Sequence, residues 1–151
     1  LYADVSNPYA RNTDGMAAID YKLPFNDGTY DVVFLTSVFS HMRPDEILAY
    51  LNEISRVLKK GGRCLATYYL LNPFSIQQIE KKKSSQNFKY SFDGFLSTHR
   101  VNPEQTIAVP EETIRAFYAT TDLQIEYPIS YGSWPGRESQ SYQDVIASIK
   151  S

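Results

Sequence analysis

The sequence is poor in several features that would have narrowed its function. One cysteine, Cys64, rules out an intramolecular disulfide, and its apolar neighbours mark it as a small core residue rather than a nucleophile. Net charge is −2 over 151 residues, so no basic excess indicates nucleic acid as a partner. No apolar run is long enough to span a bilayer and no signal-peptide pattern is present, which makes a soluble cytoplasmic protein the default expectation. The seven glycines are scattered or paired, and none forms a Gly-rich phosphate loop. No His/Cys/Asp/Glu spacing suggests a metal site. No repeat, low-complexity tract or domain boundary interrupts the chain, so residues 1–151 read as one domain. The first residue is Leu1, not Met.

What is present is concentrated between Leu23 and Asn72. Asn26-Asp27-Gly28 is a turn. Tyr30 to Thr36 follows, with Val32-Val33-Phe34-Leu35 apolar without alternation, as in a parallel strand covered on both faces. Pro44, with Asp45 and Glu46, opens a helix whose Ile47, Leu51, Ile54 and Leu58 recur at helical spacing. Lys59-Lys60 and Gly61-Gly62 suit the negative end and left-handed cap of that helix. Cys64 to Leu71 is the next apolar run. Strand, crossover helix and strand make a parallel βαβ unit.

The pieces Leu-Pro-Phe-x-Asp-Gly-x-Tyr-Asp-Val-Val, a His-containing loop and Arg-Val-Leu-Lys-x-Gly-Gly resemble the middle of class I S-adenosylmethionine-dependent methyltransferases. The resemblance implies an α/β fold: a truncated Rossmann-like sheet holding the family's strands 4-5-7-6 with a remnant of strand 3. It implies helices on both faces and an antiparallel C-terminal strand. It implies S-adenosylmethionine as cofactor and a small-molecule acceptor as partner. The family grips its cofactor with an N-terminal Gly-rich loop, and none occurs here. The resemblance therefore marks the chain as the C-terminal portion of a methyltransferase, expected to bind cofactor weakly and to be inactive alone. The alternative is a non-catalytic interaction or regulatory module that kept the fold. A nicotinamide-dependent reductase is disfavoured, because no Tyr-x-x-x-Lys or cofactor loop is found. An uncovered edge on strand 4 would invite the first residues, or a second copy in a homodimer, to pair there.

The same resemblance supplies candidate site residues. Asp4 and Val5 correspond to the end of the third strand, beside the adenine; Asp4 is equally read as a turn initiator before Ser6-Asn7-Pro8, and Asp20 competes for the role. Thr36, Ser37 and Val38 leave the fourth strand at its carboxyl end, where open α/β sheets bind ligands. His41 follows, a cofactor-side candidate and the single candidate general base, or a loop imidazole bonded to backbone. Asp31, at the amino end of that strand, reads as structural. Tyr69 and Asn72 end the fifth strand as candidate acceptor contacts, with Tyr68 and Tyr69 equally suited to packing.

From Pro73 to Pro110 the sheet pattern stops, and the resemblance makes this segment a cap over the acceptor. Ser75 to Lys83 reads as a short helix and Phe88 to Phe92 as a short strand. Phe95, Leu96, His99 and Arg100 fall in an irregular stretch, with Phe95, His99 and Arg100 as substrate contacts. Pro110-Glu111-Glu112 opens a helix, Leu123–Tyr127 and Tyr142–Ile149 read as an antiparallel pair, and Gly132–Arg137 reads as a turn-rich link or a rim of the active site.

Overall fold

The computed structural model describes residues 18–151. The Asp4 and Val5 assignments, the remnant third strand and the docking of the first residues lie outside that range. Two sheets carry the architecture. The first contains β1 (Tyr30–Leu35), β2 (Leu58–Tyr68), β7 (Leu123–Ser130) and β8 (Asp144–Lys150), in the order β1-β2-β8-β7. β1 and β2 are parallel, with Val33 beside Cys64 and Leu35 beside Ala66, and α1 (Pro44–Val57) joins them. β8 is antiparallel to both its neighbours. The expected βαβ unit and the late antiparallel pair are both present, the last strand starting at Asp144 rather than Tyr142.

α1 begins as its sequence dictates. Pro44 occupies the first turn, and the Glu46 carboxylate accepts the Arg43 amide at 2.7 Å. Its end differs from expectation. Leu58 is already extended, with ψ 142°, and Leu58 to Gly62 belong to β2. Register slips between Tyr30 and Val32, so this part of β2 bulges. Gly61, at φ +77°, serves the bulge and not a helix cap. A Cβ on Gly62 would sit 2.9 Å from the Lys59 carbonyl oxygen and 3.1 Å from that of Asp31, so the bare backbone of Gly62 lets the strands approach.

One face of this sheet is the core. Cys64, Ala66, Tyr68 and Ile146 pack with Ile47, Leu51 and Ile54 of α1 and with Ile114 and Tyr118 of α3 (Glu111–Ala119). Strand alternation turns Val32, Phe34 and Leu65 to the other face. There Val32 is 62% and Phe34 71% exposed. Where helices on both faces were expected, among the described residues α1 and α3 share one face, and the other carries this apolar stripe without a covering helix. β1 also has no strand partner on its outer side among the described residues.

The second sheet revises the reading of residues 73–110. β3 (Leu70–Leu71), β6 (Ile107–Pro110), β5 (Phe95–Ser97) and β4 (Tyr90–Phe92) lie in the order β3-β6-β5-β4. Phe95 to Ser97 is thus a strand and not irregular chain. β3 and β6 are parallel, Leu70 facing Val109, while β4 and β5 form a hairpin about Asp93-Gly94. α2 (Pro73–Glu80) follows β3, with the Asn72 side chain accepting the Ser75 amide at 3.0 Å. The new sheet shares the main core through Leu70, Phe95, Ile107 and Val109. A smaller cluster of Tyr69, Leu71, Phe88, Ala108 and Trp134 packs beside it.

The chain changes sheets at Tyr69. One buried carboxylate, Asp144, closes the junction. Its Oδ2 accepts Leu70 N–H and the Trp134 indole N–H, and its Oδ1 accepts Gly132 N–H, each at 2.8 Å. Burial pushes the Asp144 carboxyl above its ordinary range, and the three donors act in the opposite sense. Among the described residues, no helix is long and apolar enough to cross a membrane.

Candidate functional site

β1 delivers Thr36, Ser37 and Val38 to the carboxyl edge of the first sheet. Ser37 adopts φ +56°, uncommon for a residue with a Cβ. Its neighbours hold it there: Ser37 N–H donates to Thr67 Oγ1 at 2.8 Å, and its hydroxyl donates to Gln143 Oε1 at 2.9 Å. Thr67 donates to the same Gln143 oxygen at 2.8 Å, so β1, β2 and the segment leading into β8 are tied at one point. Thr36 and Ser37 are exposed, whereas Val38 packs on the core.

His41 lies in a short 3-10 turn, Phe39–His41. Its Nδ1–H donates to the Glu104 carbonyl at 3.0 Å. The tautomer follows from the partner, since a carbonyl can only accept. The Glu104 side chain in turn accepts Arg43 Nε at 2.8 Å and a second Arg43 nitrogen at 2.6 Å. The loop after β1 and the 3-10 turn Pro103–Gln105 are thereby fastened together across 61 to 63 residues. The polar groups at this edge are the Thr36 and Ser37 hydroxyls, backbone amides and the His41 imidazole. Ser37 N–H, Ser37 Oγ–H and the His41 backbone N–H already donate within the protein, so the methionine end of S-adenosylmethionine would meet the Ser37 oxygen lone pairs and the exposed Thr36 side chain here. The adenosine end finds no counterpart among the described residues, where Asp20 closes an exposed 3-10 turn, Ala18–Asp20. Asp31 is exposed and paired with Lys59 at 2.8 Å, a structural contact.

The substrate candidates are not brought together. Tyr69 is buried against Phe88 and Trp134, with ring centroids 5.3 and 5.4 Å away. Tyr68 bonds Tyr118 hydroxyl to hydroxyl at 3.0 Å inside the core. Phe95 is buried and stacks on Phe92 at 5.1 Å, beside a cavity of about 580 Å³ between the start of α1 and the β4–β5 hairpin. His99 and Arg100 are exposed, with His99 Nδ1 2.7 Å from Thr98 Oγ1. Cys64 is inert: burial pushes its thiol up to about 12. No His/Cys/Asp/Glu cluster among the described residues could hold a metal ion.

Asn72 lines a second cavity, of about 460 Å³, with Phe74, Glu111, Arg115, Tyr131 and Arg137. Glu111 is its electrostatic centre. Its Oε2 accepts Asn72 Nδ2 at 2.9 Å; its Oε1 accepts two Arg115 nitrogens at 2.9 and 2.6 Å and the Tyr131 hydroxyl at 2.9 Å. Burial alone would raise the Glu111 carboxyl, but the donors from Asn72, Arg115 and Tyr131 outweigh it and hold the group below the usual range. A carboxylate with a depressed folded pKa stabilises the fold above its unfolded pKa, and the contribution is lost as pH falls through the folded value. In urea titrations across pH, Glu111→Gln is expected to flatten the acid limb. Wild type should lose stability relative to the variant below the ordinary glutamate pKa of about 4.3.

Of the residues in this wall, the sequence singled out Asn72 and, as the end of a link that could reach a rim, Arg137; Glu111, Arg115 and Tyr131 were not singled out. The sequence signal was thin: a charged first turn in α3, and an arginine ending a turn-rich link.

Residues 8–66 match the family described as methyltransferase domain. A Methanosarcina mazei protein described as an S-adenosylmethionine-dependent methyltransferase superposes with a TM-score of 0.59 at 19% identity, over 91% of this chain and 69% of that one. The fold is that of class I S-adenosylmethionine-dependent methyltransferases. A Thermotoga maritima methyltransferase, described as a possible histamine N-methyltransferase, matches with TM-score 0.52 and 15% identity, over 94% of this chain and 69% of its own. The Burkholderia thailandensis 1,6-didemethyltoxoflavin-N1-methyltransferase, solved with 1,6-didemethyltoxoflavin and S-adenosylhomocysteine, matches with TM-score 0.53 and 12% identity, over 95% of this chain and 55% of its own. The chain thus spans between 55% and 69% of the length of these three methyltransferases.

Proposed function

We propose that this chain belongs to an enzyme that transfers a methyl group from S-adenosylmethionine to a small-molecule acceptor. The observation that carries the reading is the parallel β1-α1-β2 unit lying within, and just beyond, the stretch that matches a methyltransferase domain, with Ser37 fixed in a left-handed conformation at its carboxyl edge. Thr36, Ser37, Val38 and His41 form the cofactor side. Residues 73–110, with the helix starts that flank the cavity at Asn72, form the acceptor side. Methyl transfer from a sulfonium is a direct displacement, and such a site works chiefly by holding the two reactants in line. His41, anchored through Nδ1 to the Glu104 carbonyl, is the candidate we assign to take the acceptor's proton.

Titration with S-adenosylhomocysteine, followed by amide resonances, tests the cofactor side. Ser37, Val38 and His41 are expected to shift and saturate, while Thr120 and Thr121 at the far end of α3 stay fixed. No response at the end of β1 through a millimolar titration overturns the assignment.

A further inference from the structure

The cavity at Asn72 contains one guanidinium, Arg137, that has no ion-pair partner among the described residues, although its charge also favours the ionised form of the buried Asp144. The Arg137 guanidinium lies over the Phe74 ring at 4.3 Å and over the Tyr131 ring at 4.8 Å. It takes part in none of the ion pairs among the described residues, and its buried Nε has no hydrogen-bond partner. Arg115, the other guanidinium in the wall, is by contrast already committed to Glu111. A buried N–H without an acceptor is costly, on the order of 1–3 kcal/mol, and in native proteins calls for an explanation.

The backbone around the cavity has the same polarity. β3 and β6 are parallel neighbours, and each runs straight into a helix: Leu71 into α2 across Asn72, Pro110 into α3. The two helix starts therefore both border the cavity. α2 is capped by Asn72, but α3 has no side-chain cap. Both helix dipoles present their positive ends.

We propose that Arg137 is the binding group for a carboxylate on the acceptor, so that the acceptor is a small carboxylic acid. This rests on the reading of the Asn72 cavity as the acceptor side. Guanidinium donors lie in the plane of the group and match a carboxylate two-to-two. Contact with two rings leaves that planar edge as the polar approach. Glu111 and Glu112 balance Arg115 and Arg137 in the wall, which favours a monoanion over a phosphate dianion. A cavity of about 460 Å³ is of a size that takes one small molecule.

The Nε–H resonances of the arginines provide the test, with the Arg137 signal assigned by its loss in Arg137→Lys. Benzoate is the probe, benzamide its neutral match and inorganic phosphate the competing anion. Benzoate is expected to shift the Arg137 signal and saturate, with benzamide at least tenfold weaker and phosphate weaker than benzoate. Arg137→Gln, folded by its thermal transition, is expected to lose the benzoate response at Tyr131. Benzamide binding as well as benzoate, phosphate binding more tightly than benzoate, or an unmoved Arg137 signal overturns the proposal. The measurement needs no cofactor. Benzoate binding without any response to S-adenosylhomocysteine would keep the anion site and remove the methyl-transfer reading, and the reverse result would do the opposite.

Discussion

Asp144→Ala is expected to lower the unfolding free energy by about 3–5 kcal/mol, a large share of the roughly 5–15 kcal/mol that holds a domain together. Three donors converge on this side chain, and all three bonds are buried. Leu70 N–H is available because the chain has just left β2 for β3. Gly132 N–H and the Trp134 indole N–H come from the link between β7 and β8. Removal of the carboxylate orphans all three at once, and each buried donor without an acceptor costs about 1–3 kcal/mol before any relaxation. Water entry would recover part of this, which sets the lower bound. Asp144→Asn should cost less, about 1–3 kcal/mol, since one oxygen can still serve Leu70 and Trp134 while its amide faces Gly132 N–H. Urea unfolding gives both numbers. An alanine variant within 1 kcal/mol of wild type would show that the junction does not depend on this group.

The contrast between Asp144 and Val33 shows where sequence reasoning stops. Val32-Val33-Phe34-Leu35 declares a strand by itself, and the stripe from Ile47 to Ile54 declares a helix, so β1-α1-β2 could be read directly. Those signals are local and repeat several times. β4 falls within the alternating stretch Phe88 to Phe92, but β3, β5 and β6 are two to four residues each, too short for a period to emerge, and β3 pairs with β6, 39 residues away. Lys59 to Gly62 looked like a helix end because Gly-Gly after lysines fits a cap, yet the same glycines lie in a bulge of β2, where Gly62 comes close to the Asp31 carbonyl on another strand. The site divides in the same way. Thr36, Ser37 and Val38 could be proposed because strand ends face ligands in this fold class. The anchors of Ser37 and His41 come from Gln143 and Glu104, which nothing local marks. Arg137 sits in a link whose turn residues gave no hint that Phe74 and Tyr131 would meet its guanidinium.

Trp134→Ala is the second large effect, expected at about 3–5 kcal/mol, the usual range for truncating a fully buried tryptophan. Trp134 has no exposed surface. Its ring meets Tyr69 and Phe88 edge to face, with centroids 5.4 and 5.5 Å apart, so truncation removes the centre of the smaller cluster. Its backbone N–H also donates to the Tyr142 carbonyl at 3.0 Å, and its carbonyl accepts Ser85 N–H at 3.0 Å, contacts that survive truncation. Trp134→Phe should cost less than Trp134→Ala, because it keeps one ring against Tyr69 and Phe88 while losing the N–H to Asp144 and the volume of the second ring. Since the indole donor and the carboxylate share one bond, the double variant Trp134→Ala with Asp144→Ala should cost less than the sum of the singles by about 0.5–3 kcal/mol. Additivity would mean that the indole contributes packing alone. The consequence reaches the cavity, because Trp134 lies between Tyr131 and Arg137 on the same link. With the indole gone and the protein still folded, the Arg137 Nε–H signal should broaden or shift without any ligand. A signal unchanged from wild type would show that Phe74 and Tyr131 hold the guanidinium by themselves.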